Sequence, residues 1–222
     1  MADKQHYTNI RAVLFDLDGT LTDTFHLWYE AVRELVRRHT GRELGEEQYR
    51  EKWWGMDGRG KIRQLITDEP QALEQLYGEL VDLLVEKIEL VRPLPGAVEA
   101  MQSLAKLVPL GVISNGPLVF LRGQLRQVGM ADLFAVEIAD AEPKPSPAGI
   151  LRACEALNLT PAEVVFVGDS RFDTQAAAAA ECLCIIIPET ADRGQALEEL
   201  TAVLQGQRGA GDHYPSSKAE ES

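Results

Sequence analysis

Three short apolar runs, each stopping abruptly in polar side chains, constrain this chain more than any other feature. Val13-Leu14-Phe15 leads into Asp16-Leu17-Asp18-Gly19, Leu110-Gly111-Val112-Ile113 into Ser114-Asn115-Gly116, and Val164-Val165-Phe166-Val167 into Gly168-Asp169-Ser170. Their length and their β-branched and aromatic content read as buried strands. Strands are predicted near 110–114, 135–139, 164–167 and 183–187, with helical periodicity between them. That alternation specifies an α/β fold, a parallel sheet with helices on both faces. Sheets of this kind bind ligands in the crevice beyond the carboxyl ends of their strands. The polar tips are therefore the candidate site.

Each tip has its own chemistry. Strand residues two apart point the same way, so Asp16 and Asp18 are expected to face one crevice. Crowded carboxylates repel and are costly to desolvate without a cation or a shared proton. The Ser114 hydroxyl and the backbone N–H groups near Gly116 suit an anionic oxygen. Lys144 sits among Pro143, Pro145 and Pro147, in a stretch with little backbone freedom, and lysine is a compact phosphate binder. If a helix starts near Ser170, Asp173 falls in its first turn and faces back toward Asp169. Taken singly, these fit a polar loop, an ordinary turn, a solvated lysine and a helix N-cap. Together they hold a divalent cation and a phosphoryl group beside a carboxylate nucleophile.

The four motifs, in this order and at this spacing, resemble the haloacid dehalogenase superfamily, in its phosphatase branch with a helical cap, over roughly residues 10–205. The resemblance implies a Rossmann-like core and an inserted all-helical cap. It implies that Asp16 is the nucleophile that becomes an aspartyl-phosphate and that Asp18 is the general acid and base. Thr20, Ser114, Asn115 and Lys144 would hold the phosphoryl group. Mg²⁺ would be bound by Asp16, Asp169, Asp173 and the backbone carbonyl of Asp18. Dehalogenases of the superfamily lack the second aspartate of the first motif, and its phosphonate-cleaving members carry a small residue there. Retention of Asp18 therefore points to phosphate esters. The expected activity is hydrolysis of a small phosphorylated metabolite, such as phosphoglycolate or a sugar phosphate. The alternatives are a β-phosphoglucomutase-like phosphosugar mutase and a non-catalytic binding protein. Mutase relatives carry a histidine where this chain has Trp28, and a binding protein would be expected to lose Asp16, Asp18 or Lys144.

The chain of 222 residues is long enough for one core and an inserted module. We divide it into a discontinuous core (9–23 and 93–205), a helical cap (24–92) and a disordered tail (206–222). Phe25, Trp28, Val32, Leu35 and Val36 repeat at helical spacing, with Gly41 as a stop. Leu73 through Val91 reads as a second, longer helix. Between them, residues 54–61 form a glycine-rich loop whose Arg59 is a candidate contact for an anionic group on the substrate. Trp53 and Trp54 are expected to pack inside the cap, and His26 and His39 to lie partly exposed on a helix. The run from Ala176 to Ala180 ends in Glu181-Cys182 where the family places a glycine.

A net charge of −13 argues against nucleic acid or an anionic membrane as partner and leaves substrate capture to local cations. Cys154, Cys182 and Cys184 have no C-x-x-C spacing and read as core residues. The polar first nine residues do not resemble a signal peptide, and no apolar run has membrane-spanning length. A cytoplasmic monomer or small homo-oligomer is expected.

Overall fold

The computed structural model describes residues 9–139, 141–187 and 193–209. Five parallel strands form the sheet: β1 (Ala12–Phe15), β4 (Leu110–Ile113), β5 (Val136–Ile138), β6 (Val164–Gly168) and β7 (Leu183–Ile186). Their order is β5-β4-β1-β6-β7, so β1 is central and the chain builds outward from it in both directions. The direction of winding reverses between β1 and β6, which puts the crevice beyond Phe15 and Gly168 at the topological switch point.

The apolar runs are continuous because both sheet faces are covered. Val13, Phe15, Val112, Val165 and Val167 face one cluster, shared with α5 (Ala97–Leu104), α6 (Leu118–Gln127) and α9 (Arg193–Gly209). Ala12, Leu14, Ile113, Val164 and Phe166 face the other, shared with α7 (Ala148–Leu157) and α8 (Arg171–Ala180). The four strands expected after residue 100 are present: β4, β5 and β7 are one or two residues shorter than predicted, and β6 is one residue longer.

Between β2 (Thr22–Asp23) and β3 (Arg92–Pro93) the chain is helical: α1 (Phe25–Thr40), α2 (Glu46–Lys52), α3 (Gly58–Leu65) and α4 (Pro70–Val85). The two short strands pair antiparallel, Thr22 with Pro93 and Asp23 with Arg92, so the point of exit and the point of return are tied together. α1 ends where expected, at Gly41, whose φ of 68° suits a residue without a Cβ. Arg37, Arg38 and His39 complement the negative end of that helix. α4 starts at Pro70 under a Glu69 side-chain cap. The longer helix expected through Val91 stops at Val85, and Ile88–Leu90 form a single 3₁₀ turn that still buries Val91. The tail predicted from 206 begins inside α9, and residues 210–222 lie outside the described residues. Among the described residues no helix is long and apolar enough to cross a membrane.

Candidate active site

Asp16 follows directly on β1, where its N–H donates to the Val167 carbonyl and its side chain is buried. Lys144 reaches it from the proline-rich loop: Nζ donates to Asp16 Oδ1 at 2.5 Å and to Asp173 Oδ1 at 2.7 Å. Asp173 comes from the first turn of α8. Its other oxygen accepts from the Ser170 N–H at 2.9 Å, while the Ser170 hydroxyl caps the helix. Gly168 makes this approach possible, because a Cβ there would lie 2.5 Å from Asp173 Cγ. Asp169 completes the group, and its carboxylate accepts from Thr20 Oγ1 at 3.2 Å and from Trp54.

One oxygen from each of Asp16, Asp169 and Asp173 lies within 4.8 Å of the others, a set of hard donors suited to a divalent cation. Burial pushes the Asp16 carboxyl well up; Lys144 opposes this, and the neighbouring aspartates add to it. Burial and Asp173 push Asp169 up to about 6. Burial works against the charge on Lys144, but Asp16 and Asp173 outweigh it and hold the ammonium above the ordinary lysine range. Crowded carboxylates that resist ionisation in this way are what a bound cation would relieve.

Asp18 lines the same cavity as Asp16, but its carboxylate belongs to a different network. Oδ1 accepts from Thr24 Oγ1 (2.7 Å), Trp28 Nε1 (3.0 Å) and Gln124 Nε2 (3.0 Å), and Oδ2 accepts from Ser114 Oγ (3.0 Å). Thr24 precedes α1, yet its hydroxyl makes no helix cap and goes to Asp18 instead.

The expected phosphate-side residues are distributed unevenly. Lys144 and Asn115 line the cavity. The Asn115 amide donates to the carbonyls of Gly55 and Lys144, and its oxygen accepts the Lys144 N–H, so it braces the lysine loop against the helical insertion. Ser114 Oγ sits between Asp18 and the Gly116 N–H. Thr20 is fully buried with its hydroxyl on Asp169.

The insertion differs from expectation in three respects. Positions 58–61 are the start of α3 rather than loop, because Asp57 caps the Gly60 N–H. Arg59 does not line the Asp16 cavity: its guanidinium pairs with Glu74 at 2.7 and 2.8 Å and lies 3.7 Å over the Tyr77 ring, on an adjoining cavity of about 200 Å³ that shares Asn115 and Gly116 with the first. Trp53 packs within the insertion and donates to Gln64, as expected, but Trp54 reaches Asp169. His26 and His39 are exposed, the latter paired with Glu79 at 2.8 Å. Cys154 is buried, while Cys182 and Cys184 are half-buried at the rim of the second apolar cluster; all three are free thiols.

Trp28, Lys61 and Gln124 are the site residues that sequence reasoning missed. Trp28 and Lys61 line the cavity with Asp16, Asp18 and Lys144. The cavity holds about 20 Å³, room for roughly one water. Gln124 left a trace in the sequence, a polar residue on the buried stripe of Phe120, Leu121 and Leu125.

A family model for haloacid dehalogenase-like hydrolases matches residues 10–181. A phosphoglycolate phosphatase of Thiobacillus denitrificans is 31% identical over 208 residues, covering 86% of this chain and 88% of that one. A validoxylamine A 7'-phosphate phosphatase of Streptomyces hygroscopicus subsp. limoneus is 31% identical, covering 88% and 93%. Among solved structures, a haloacid dehalogenase-like hydrolase from Bacteroides fragilis superimposes with a TM-score of 0.75 at 26% identity, covering 84% and 93%. CbbY from Rhodobacter sphaeroides in complex with phosphate gives 0.71 at 25%, covering 81% and 86%.

Proposed function

This chain belongs to the haloacid dehalogenase-like hydrolases and is a phosphatase, and from that premise we propose a Mg²⁺-dependent enzyme that hydrolyses a small phosphorylated metabolite, of the phosphoglycolate type, through an aspartyl-phosphate on Asp16. The observation that carries the reading is the convergence of Asp16, Asp169 and Asp173 with Lys144 bridging two of them, beside an independently oriented Asp18.

Asp16, Asp169 and Asp173 would hold Mg²⁺, with the Asp18 backbone carbonyl as a further ligand. Bound there, the ion would offset charge on the phosphoryl oxygens. In the first half-reaction an Asp16 carboxylate oxygen attacks phosphorus and the ester P–O bond breaks. The departing oxygen takes a proton from Asp18. In the second half-reaction water attacks phosphorus and gives its proton to Asp18. The P–O bond to Asp16 then breaks, releasing phosphate and restoring the carboxylate. Lys144 keeps Asp16 oriented and neutralises charge as it moves between the carboxylate and the phosphoryl group. Asn115 would frame the phosphoryl position, with Ser114 and Thr20 behind it on Asp18 and Asp169.

Residues 24–92 would act as the cap. A cavity with room for one water does not admit a substrate, so entry requires cap and core to part, with the Asn115–Gly55 and Arg171–Lys52 hydrogen bonds breaking as they do. Closure then excludes bulk water from the reaction. The three free thiols accord with a reducing compartment such as the cytoplasm.

The test is phosphate release from p-nitrophenyl phosphate and phosphoglycolate, with and without Mg²⁺. The wild type should release phosphate, lose the activity in EDTA and regain it with Mg²⁺. Asp16→Asn is nearly isosteric and should lower turnover by roughly 10³-fold or more while the protein stays folded. Turnover that survives this substitution would remove Asp16 as the nucleophile.

A further inference from the structure

Lys61 is a buried cation that forms no ion pair among the described residues. It is 2% exposed, in the first turn of α3. Its Nζ donates to the Met56 carbonyl and lies 4.3 Å over the Trp28 ring centroid and 5.9 Å from that of Tyr49. Among the described residues no ion pair joins it to a carboxylate, although Asp57 and Asp18 are close enough to act on its charge. Lys144, the other cation on the cavity wall, is already engaged by Asp16 and Asp173. The Tyr49 hydroxyl, fully buried beside Lys61, has no hydrogen-bond partner among the described residues. Burying an ammonium without a counter-charge is unfavourable, and a ligand that brings the counter-charge removes the penalty.

We propose that Lys61 receives a second anionic group, carboxylate or phosphate, carried by the leaving group. The site would then select small phosphate esters whose second anion lies only a few bonds from the ester oxygen. This rests on the phosphatase reading above and narrows its substrate class. The spacing comes from Trp28, which donates to Asp18 through Nε1 at 3.0 Å and presents its ring face to Lys61. Asp18 marks where the leaving oxygen takes its proton, so the ester oxygen and the second anion are separated by about one indole. Arg59, the cation expected from sequence to do this, is held by Glu74 in a half-exposed ion pair and lines an adjoining cavity that shares Asn115 and Gly116 with this one, whereas Lys61 lines the cavity that holds Asp16 and Asp18. In a chain of net charge −13, a local unpaired cation has a large share in drawing a dianionic substrate inward.

The discriminating pair is phosphoglycolate and 2-hydroxyethyl phosphate, which differ in a carboxylate against a neutral hydroxymethyl group. Propane-1,3-diyl bisphosphate serves as the second-phosphate arm and p-nitrophenyl phosphate as the reference. For the wild type, kcat/KM for the better of the two second-anion substrates should exceed that for 2-hydroxyethyl phosphate by at least ~10-fold. Lys61→Met, which keeps an apolar stem against Trp28, should collapse that ratio toward one, chiefly through KM, and Lys61→Arg should retain most of it. The arm that responds more strongly to Lys61→Met identifies the anion. If the Met variant does not fold by circular dichroism, Lys61→Gln is read in its place. A wild-type ratio near one, or equal losses on charged and neutral substrates, overturns the proposal. Absence of phosphate release from every compound, p-nitrophenyl phosphate included, would instead overturn the phosphatase reading.

Discussion

Gln124 Nε2 lies 3.0 Å from Asp18 Oδ1, joining residues 106 positions apart. The same side chain accepts from Thr22 Oγ1 at 2.7 Å, and it is fully buried. α6 thus fixes the orientation of a carboxylate delivered by β1, and the link runs through the core without touching the cap. Gln124→Leu should lower kcat by roughly 10–100-fold with a small change in KM, because Asp18 loses a donor that aims it. Stability should fall by about 1–3 kcal/mol, with Thr22 keeping only the Leu17 carbonyl as acceptor. Gln124→Glu should be worse than Leu for turnover, since a second carboxylate would face Asp18. Steady-state kinetics with a denaturant titration of each variant checks this.

Lys144→Met tests whether the carboxylate cluster depends on its cation. Asp16 and Asp173 are both buried and both bound to Lys144 Nζ, so its removal leaves two uncompensated charges together. Breaking a buried ion pair from one side costs about 3–5 kcal/mol. For a chain of this size the Tm should drop by roughly 6–20 °C. Millimolar Mg²⁺ should narrow the deficit, and EDTA should restore it, because a cation among Asp16, Asp169 and Asp173 replaces the missing charge. A Tm deficit indifferent to Mg²⁺ would argue against that site.

The strands were legible because both faces of the sheet are covered, so burial wrote itself as unbroken apolar runs ending in the site's own carboxylates. α1 was legible through one apolar stripe and one left-handed glycine. The β2–β3 pair was not: two residues on each side carry no periodicity, and Pro93 hid the pairing. Arg59 read from sequence as a free cation in a glycine-rich stretch, because a sequence does not show that Glu74, fifteen residues on, pairs with it. Lys61 was undervalued for the converse reason. Its significance lies in having no such partner, and a missing partner is visible only in three dimensions.

Glu181 ends α8 in the left-handed conformation, at φ 57° and ψ 36°, where its N–H bonds to the Ala177 and Ala178 carbonyls. An L-residue with a Cβ pays for that conformation and glycine does not. Glu181→Gly should therefore stabilise the protein by about 0.5–1 kcal/mol after the greater entropy of glycine in the unfolded chain is subtracted. The expected gain in Tm is roughly 1–4 °C. Glu181 is exposed and outside the site, so calorimetry should register the change while turnover stays as it was. A fall in Tm would mean that the Glu181 side chain contributes more than its backbone strain costs.

Lys61 also gives the pH dependence a definite sign. Burial lowers its pKa to about 8, against the opposing pull of Asp57 and Asp18. The other groups packed on it are the Trp28 ring, which does not titrate, and the Tyr49 phenol, which burial pushes well up so that it stays neutral in this range. The ammonium is therefore charged below about pH 8 and is lost as pH rises through it. Because kcat/KM reports the free enzyme, its value for phosphoglycolate should decline above that pH. Groups that affect all substrates alike, the aspartates among them, cancel when this value is divided by that for 2-hydroxyethyl phosphate. The quotient should be level below pH 7, fall through pH 8 to 9, and be flat throughout in Lys61→Met. Lys61→Arg, charged at every accessible pH, should move the fall out of range. A wild-type quotient that does not change with pH would mean that Lys61 is not what the second anion meets.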